Sequence, residues 1–341
     1  MKHVLTLLVA VVLAAGTAAR AEAAVQLGAT GNLDAVAVLT DAYAEKNEKE
    51  DTLDLRSRLR ATFSAEANQY IKGYWEFQVG EWCWGHPNGT DNPGPMDTNI
   101  QDFKTRLSWI EAKFPNTPLS MSAGLIQLTL PNAVGGNPLY DARTAGAALS
   151  ADLGGGITLT GFYGRPAQNN GAATSNPNTN SADMFGLIVS VEKGTLKAEP
   201  YFTYAKVGHS SGVPLPWADG LSNDGKYTAL TGAGLALTAD FKPVVLKLDA
   251  IYARADNKTE NAFDTKGYHI ALAADYKAKF GTPGLIAWYS SGADKEGKGV
   301  LPVLGVDGGV VYTRMFTYGT ASLGDEGFGS GTAVGSMGLG L

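Results

Sequence analysis

Between Thr52 and Ser64 the chain alternates: Leu53, Leu55, Leu59, Ala61 and Phe63 hold one parity, and Asp54, Arg56, Arg58, Arg60 and Thr62 the other. Side chains of a β-strand alternate sides with period two, so this stretch has a greasy face and a face carrying three arginines in succession. Such a ribbon has two homes. In a soluble sandwich its polar face looks at water and its apolar face at a core. In a membrane barrel its apolar face looks at lipid and its polar face at an aqueous channel.

The same alternation, cut by Gly-, Asn- and Pro-rich segments, predicts strands near 27–38, 52–64, 69–82, 102–114, 119–129, 144–153, 156–165, 183–193, 195–207, 227–240, 243–255, 265–279 and 283–291, with another near 309–318. In 69–82, Ile71, Trp75, Phe77 and Val79 alternate with Lys72, Tyr74, Glu76 and Gln78. In 265–279, Tyr268, Ile270, Leu272, Ala274 and Tyr276 alternate with His269 and Asp275. Tyr163, Tyr204, Tyr252, Tyr268, Tyr276, Trp288 and Tyr289 gather near strand ends, as the aromatic girdles of a membrane protein do. Two places break the pattern. Strand 102–114 changes parity near Trp109–Ile110, which requires a bulge, and Pro200 removes a ladder donor inside 195–207, which again suggests a local bulge.

The connections separate the two homes. Short ones fall at Ala65–Asn68, Pro115–Pro118, Leu153–Gly156, Lys193–Gly194, Phe241–Lys242 and Gly281–Thr282. Long ones fall at 39–51, 83–101, 130–143, 166–182, 208–226, 256–264 and 292–308. Short and long therefore alternate, the rhythm of a membrane barrel with tight turns at one rim and long loops at the other. A Greek-key sandwich has no reason to keep it. The expected fold is all-β, a transmembrane antiparallel β-barrel spanning residues 24–341.

The N-terminus agrees. Lys2, an apolar run from Val4 to Ala15 and the Ala21-Glu22-Ala23 tripeptide predict a secretory signal over residues 1–23. Its apolar run is too short to cross about 30 Å of hydrocarbon as a helix. Without those residues the formal charge moves from −6 to −7, which argues against a nucleic-acid partner. Hydrophobic residues make up only 44% of the chain, beside 43 glycines and 14 tyrosines, the mixture a barrel with a polar inner wall needs.

Enzymatic chemistry has little to stand on. The lone cysteine, Cys83, excludes a disulfide framework, and no ligand spacing joins it to His86, Asp91 and Asp97 as a metal site. Gly208-His209-Ser210-Ser211-Gly212 matches the nucleophile-elbow pattern, but Val213-Pro214-Leu215-Pro216 follows where a helix would have to open. An outer-membrane barrel enzyme using Ser210 or His269 stays an alternative, as does a secreted β-sandwich adhesin.

The stretches Arg56-Ser57-Arg58-Leu59-Arg60, Ala67-Asn68-Gln69-Tyr70-Ile71-Lys72 and Ala123-Gly124-Leu125-Ile126-Gln127, followed by Leu130-Pro131, resemble the outer-membrane homotrimeric porins of Desulfovibrio-type bacteria. The resemblance covers most of the mature chain and implies a 16-stranded barrel in the outer membrane of a Gram-negative bacterium, of which the residues here supply about 13–14 strands. It implies three copies per assembly, outer-membrane lipid around them and passive passage of small hydrophilic solutes, with no cofactor and no reaction. It places loop 130–143, between the fifth and sixth strands, where general diffusion porins fold a loop inward. The second long loop, 83–101, becomes the candidate latch onto a neighbouring copy. The chain departs from the family in stopping at Gly335-Ser336-Met337-Gly338-Leu339-Gly340-Leu341 rather than at an aromatic residue, which suggests a C-terminal truncation.

The candidate channel-lining residues are then Arg56, Arg58, Arg60, Lys72, Glu76, Lys104 and Arg106 on the wall, with Asp141 and Arg143 on the constriction loop. Six wall cations against so few acids predict a weak preference for anions.

Overall fold

The computed structural model describes residues 25–43, 49–83, 103–168, 181–208, 227–257, 264–292, 299–306 and 337–340. The signal region 1–23, the motif serine Ser210, most of loop 83–101 and the segment 309–318 lie outside the described residues. Every regular element among the described residues is a strand. Contacts divide the chain into two units, the first running to Ile126 and the second from Gln127 onward.

The first unit is an antiparallel meander of β1 (Gln26–Tyr43), β2 (Lys49–Asn68), β3 (Ile71–Cys83), β4 (Phe103–Lys113) and β5 (Leu119–Thr129), whose last residues belong to the second unit. β1 and β2 run in unbroken register from Gln26↔Glu66 to Tyr43↔Lys49, so the connection expected over 39–51 shrinks to 44–48. The β2–β3 turn is held by Asn68, whose Oδ1 accepts from the backbone N–H of Tyr70 at 2.8 Å and of Ile71 at 3.0 Å. Such a side-chain acceptor satisfies donors that a tight turn leaves open.

Cross-strand partners share a face, so the pairings sort the side chains. Leu33, Leu59, Phe63, Trp75, Phe103 and Ile110 stand exposed on one side. There Phe63, Trp75, Phe77 and Phe103 form a continuous ring cluster with centroids 5.0 to 6.1 Å apart. The parity change in β4 is real, but its bulge lies earlier than the sequence suggested. Glu76 pairs with Leu107 and Phe77 with Thr105, leaving Arg106 as the extra residue. The bulge turns Leu107 and Trp109 to the polar side, where Trp109 stacks on Tyr74 at 4.5 Å.

The second unit continues with β6 (Tyr140–Gly154), β7 (Ile157–Gln168), β8 (Ser181–Lys193), β9 (Leu196–Gly208), β10 (Tyr227–Phe241), β11 (Val244–Asn257), β12 (Thr265–Tyr276) and β13 (Gly284–Ser290). Each pairs antiparallel with the next. Two short strands complete it: β14 (Gly305–Val306), parallel to β6, and β15 (Met337–Gly340), antiparallel to β13. The tail, for which no strand was predicted from the sequence, therefore carries one.

Pro200 needs no bulge. β8 and β9 keep one register on both sides of it, Ile188↔Tyr201 and Val191↔Ala198, and the ladder simply skips the positions between. On its other edge Pro200 stays in register with Leu235.

In this unit Leu149, Phe185, Leu187, Phe202, Leu246, Tyr252, Ile270, Leu272 and Leu285 stand exposed on one face. On the other face Ala205, Ala253, Ala255 and Ala271 are fully covered, beside larger buried side chains such as Met184, Tyr201 and Leu230. The question is what covers them.

Candidate functional site

In the first unit the polar face is a wall of linked charges. Arg58 meets Asp34 at 3.0 Å across β1–β2 and is nearly buried. Arg60 Nε donates to Gln78 Oε1 at 2.9 Å across β2–β3. Arg106, placed by the bulge, meets Glu76 at 2.6 Å, and Thr62 donates to the same carboxylate at 3.2 Å. Lys72 pairs with Glu66 at 2.7 Å. Asn32, Arg60, Thr62, Glu76 and Arg106 line a cleft of about 390 Å³.

Of the predicted wall residues, Arg58, Arg60, Lys72, Glu76, Lys104 and Arg106 thus share one face, Lys104 by its register with Gln78. Arg56 lies in β2 opposite Cys83, but its side chain lies outside the described residues. The wall is less bare than three successive arginines suggested. Asp34 on β1 offsets the guanidinium of Arg58, and Glu76 that of Arg106. Opposite charges at these distances also relieve the repulsion between arginines two residues apart.

Asp141 and Arg143 require a correction. The loop ends at Leu139, and both residues belong to β6, where burial alternates from Tyr140 to Ala145. Tyr140, Ala142 and Thr144 occupy the covered face, so Asp141 and Arg143 share parity with Ala145 and Leu149 on the other. Asp141 accepts from Gln127 at 2.8 Å and from Thr129, stapling β6 to the end of β5. Strand parity extends past the Asn137-Pro138 punctuation, and that moves both charges out of the loop.

The loop itself, residues 130–139, folds back over the covered face of β9–β11. The backbone N–H of Leu130 donates to the carbonyl of Tyr140 at 3.1 Å and closes its base. Its tip is held by Asp249 of β11, whose two carboxylate oxygens accept from the N–H groups of Ala133 at 2.7 Å and Val134 at 2.8 Å. Asn137 is fully buried and donates to Tyr201 Oη of β9 at 2.8 Å and to the carbonyl of Pro131 at 2.9 Å. Leu130 and Leu139 are buried beside it.

The wall is shaped to receive this loop. Gly234 faces Tyr201 across β9–β10, and a Cβ there would lie 2.5 Å from the phenol ring. Only a glycine lets the ring lie across the strand and offer its hydroxyl to Asn137. The donors at the loop's tip are received by an acid of β11. Backbone N–H groups need acceptors, and a carboxylate supplies two on one side chain. Sequence reasoning gave neither Asp249 nor Tyr201 a role in holding the loop. The small residues Ala205, Gly232, Ala253 and Ala255 at covered positions, where a wet wall would carry charge, were the available signal.

His269 is buried on this face, in register with Ile251 and Ser290. Among the described residues no group of three or more His, Cys, Asp or Glu is placed to hold a metal ion.

No protein-family profile matches the chain, and no curated protein does. Among solved structures it is similar to the anion-selective porin from Comamonas acidovorans, at 14% identity over 80% of both chains with a TM-score of 0.48. It is similar to Salmonella typhi OmpF at 15% identity, again over 80% of both chains, with a TM-score of 0.47. It is also similar to Pseudomonas aeruginosa OccK8 (OprE), at 11% identity over 82% of this chain and 70% of that one, with a TM-score of 0.46. At these identities and scores the likeness carries no weight on function, which is argued from the two faces of the strands.

Proposed function

We propose that the chain is a non-enzymatic outer-membrane channel, a transmembrane β-barrel that passes small hydrophilic solutes and ions by diffusion. One observation carries this reading: every strand from β2 to β13 except β5 leaves at least one large apolar side chain exposed, while the charged side chains of the opposite face are covered or paired. In water that arrangement is inside out. It is stable where the exposed face meets hydrocarbon and the polar face meets an enclosed aqueous passage.

Loop 130–139 is the proposed constriction, held to the wall by Asp249 and Tyr201. Arg58, Arg60, Lys72, Lys104, Arg106 and Lys113 share the first unit's polar face with Asp34, Glu66, Glu76 and Glu111. So small an excess of cations supports a weak anion preference. The exposed ring cluster of Phe63, Trp75, Phe77 and Phe103 is the surface on which a homotrimer would close.

Planar-bilayer recording on detergent-folded protein tests the reading. Discrete ohmic steps, with a reversal potential of anionic sign under a KCl gradient, support it. A folded protein that stays soluble without detergent and conducts no ions refutes it. The enzyme alternative predicts fatty-acid or peptide release that is lost on Ser210→Ala.

A further inference from the structure

The loop over β9–β11 leaves unexplained why the polar face of β12 is also covered. Segment 299–306 supplies the answer. Leu301, Pro302, Val303 and Leu304 are all buried, with Leu301 wholly so. The segment is fastened at both ends. Thr265 Oγ1 of β12 donates to the carbonyl of Val300 at 2.7 Å, and the N–H of Leu304 donates to the carbonyl of Leu139 at 2.9 Å. Beyond it, Gly305 and Val306 form the parallel pairing with Tyr140 and Asp141. Consecutive wall strands of this unit pair antiparallel, so a parallel strand here is an added piece laid against the end of the loop.

β12 makes room for it. Gly267 faces the segment, and a Cβ there would lie 2.4 Å from the backbone nitrogen and 2.6 Å from the Cα of Leu301. Its cross-strand partner Ala253 and the next residue on that face of β11, Ala255, are small and fully covered. A glycine beside two alanines, on a face that elsewhere carries Asp249 and Lys247, leaves a trough the width of one chain.

We infer that residues 299–306 are a second selectivity strap, which narrows the passage together with loop 130–139 and seats the end of that loop through Leu304. This rests on the channel reading above. Solute size is then limited by two chain segments joined backbone to backbone, and loosening the strap loosens the loop.

Two variants test it: Leu301→Ser, Val303→Ser and Leu304→Ser combined, which removes the strap's buried side chains, and Gly267→Val, which fills the trough. Folding is checked by heat-modifiable migration. Either folded variant is expected to conduct about twofold more than wild type or better, and to admit larger sugars in liposome swelling. A folded variant with wild-type conductance and exclusion limit overturns the proposal. If neither variant folds, Val300→Cys in a Cys83→Ser background decides. A charged methanethiosulfonate should lower its conductance, and a modified channel with unchanged conductance overturns the strap. A wild-type protein that does not conduct overturns the channel reading instead, an outcome distinct from a conducting wild type with indifferent variants.

Discussion

Removing the Asp249 carboxylate should release the tip of loop 130–139. That side chain is 1% exposed and accepts two backbone donors at 2.7 and 2.8 Å. Hydrogen bonds to a charged acceptor contribute about 1.5–3 kcal/mol each. The orphaned N–H groups of Ala133 and Val134 are only partly buried and can recruit water, so the low end applies. Asp249→Ala then costs the seated loop about 3 kcal/mol, which raises the ratio of released to seated loop about 100-fold. Asp249→Asn keeps one acceptor and turns an amide N–H₂ toward a donor, so a rise of about tenfold or more is expected. Neither variant should unfold the loop outright, because Asn137–Tyr201 and the buried Leu130 and Leu139 remain. Single-channel recording reads the effect as more frequent substate transitions, and liposome swelling as a larger exclusion limit. Asp249→Ala channels with wild-type noise and wild-type exclusion would refute the reasoning.

Gly234→Val should reproduce the Asp249 phenotype from a different strand, since the added methyls displace the Tyr201 ring and its bond to Asn137; flicker like that of Asp249→Ala in a protein of normal heat-modifiability is the expected result. Arg60→Glu with Lys104→Glu should carry the reversal potential under a KCl gradient to the cationic side, because it reverses the small positive excess on that face. Leu272→Arg should destabilise the protein by about 2–4 kcal/mol in denaturant titration from bilayers, the cost of a charge on a lipid-facing strand. Phe280→Arg, at an exposed turn, should cost about 1 kcal/mol or less, and equal costs at the two positions would speak against a membrane-facing surface.

Alternation was legible wherever one face differs chemically from the other. Strand 119–129 matches in full, and the short turns at Asn116, Gly155–Gly156, Gly194 and Lys242–Pro243 fall at or beside the expected connections. Positions that depend on a partner were less legible. The β4 bulge was expected at Trp109–Ile110 because side-chain type alone marks where the pattern fails, whereas register with Glu76 and Phe77 places it at Arg106. Asp141 and Arg143 were assigned to the loop because Asn137-Pro138 and Tyr140 look like turn chemistry, yet strand β6 already begins at Tyr140. The acid that holds the loop lies over a hundred residues downstream of it, and no local pattern connects Asp249 with Ala133. The strap was hidden for the same reason: Leu301 to Leu304 reads as a short apolar run in a long connection until Gly267 and Leu139 are brought beside it.

Nitroxide accessibility at two positions reaches the centre of this account. Leu272→Cys and Arg60→Cys, each in a Cys83→Ser background and reconstituted in lipid, carry the label on the exposed apolar face and on the charged face respectively. The label at 272 is expected to collide with oxygen and to be shielded from a water-soluble nickel chelate, and the label at 60 to do the reverse. A label at 272 reached by the chelate, or shielded from both reagents, would mean that its face meets water or dry protein and not hydrocarbon.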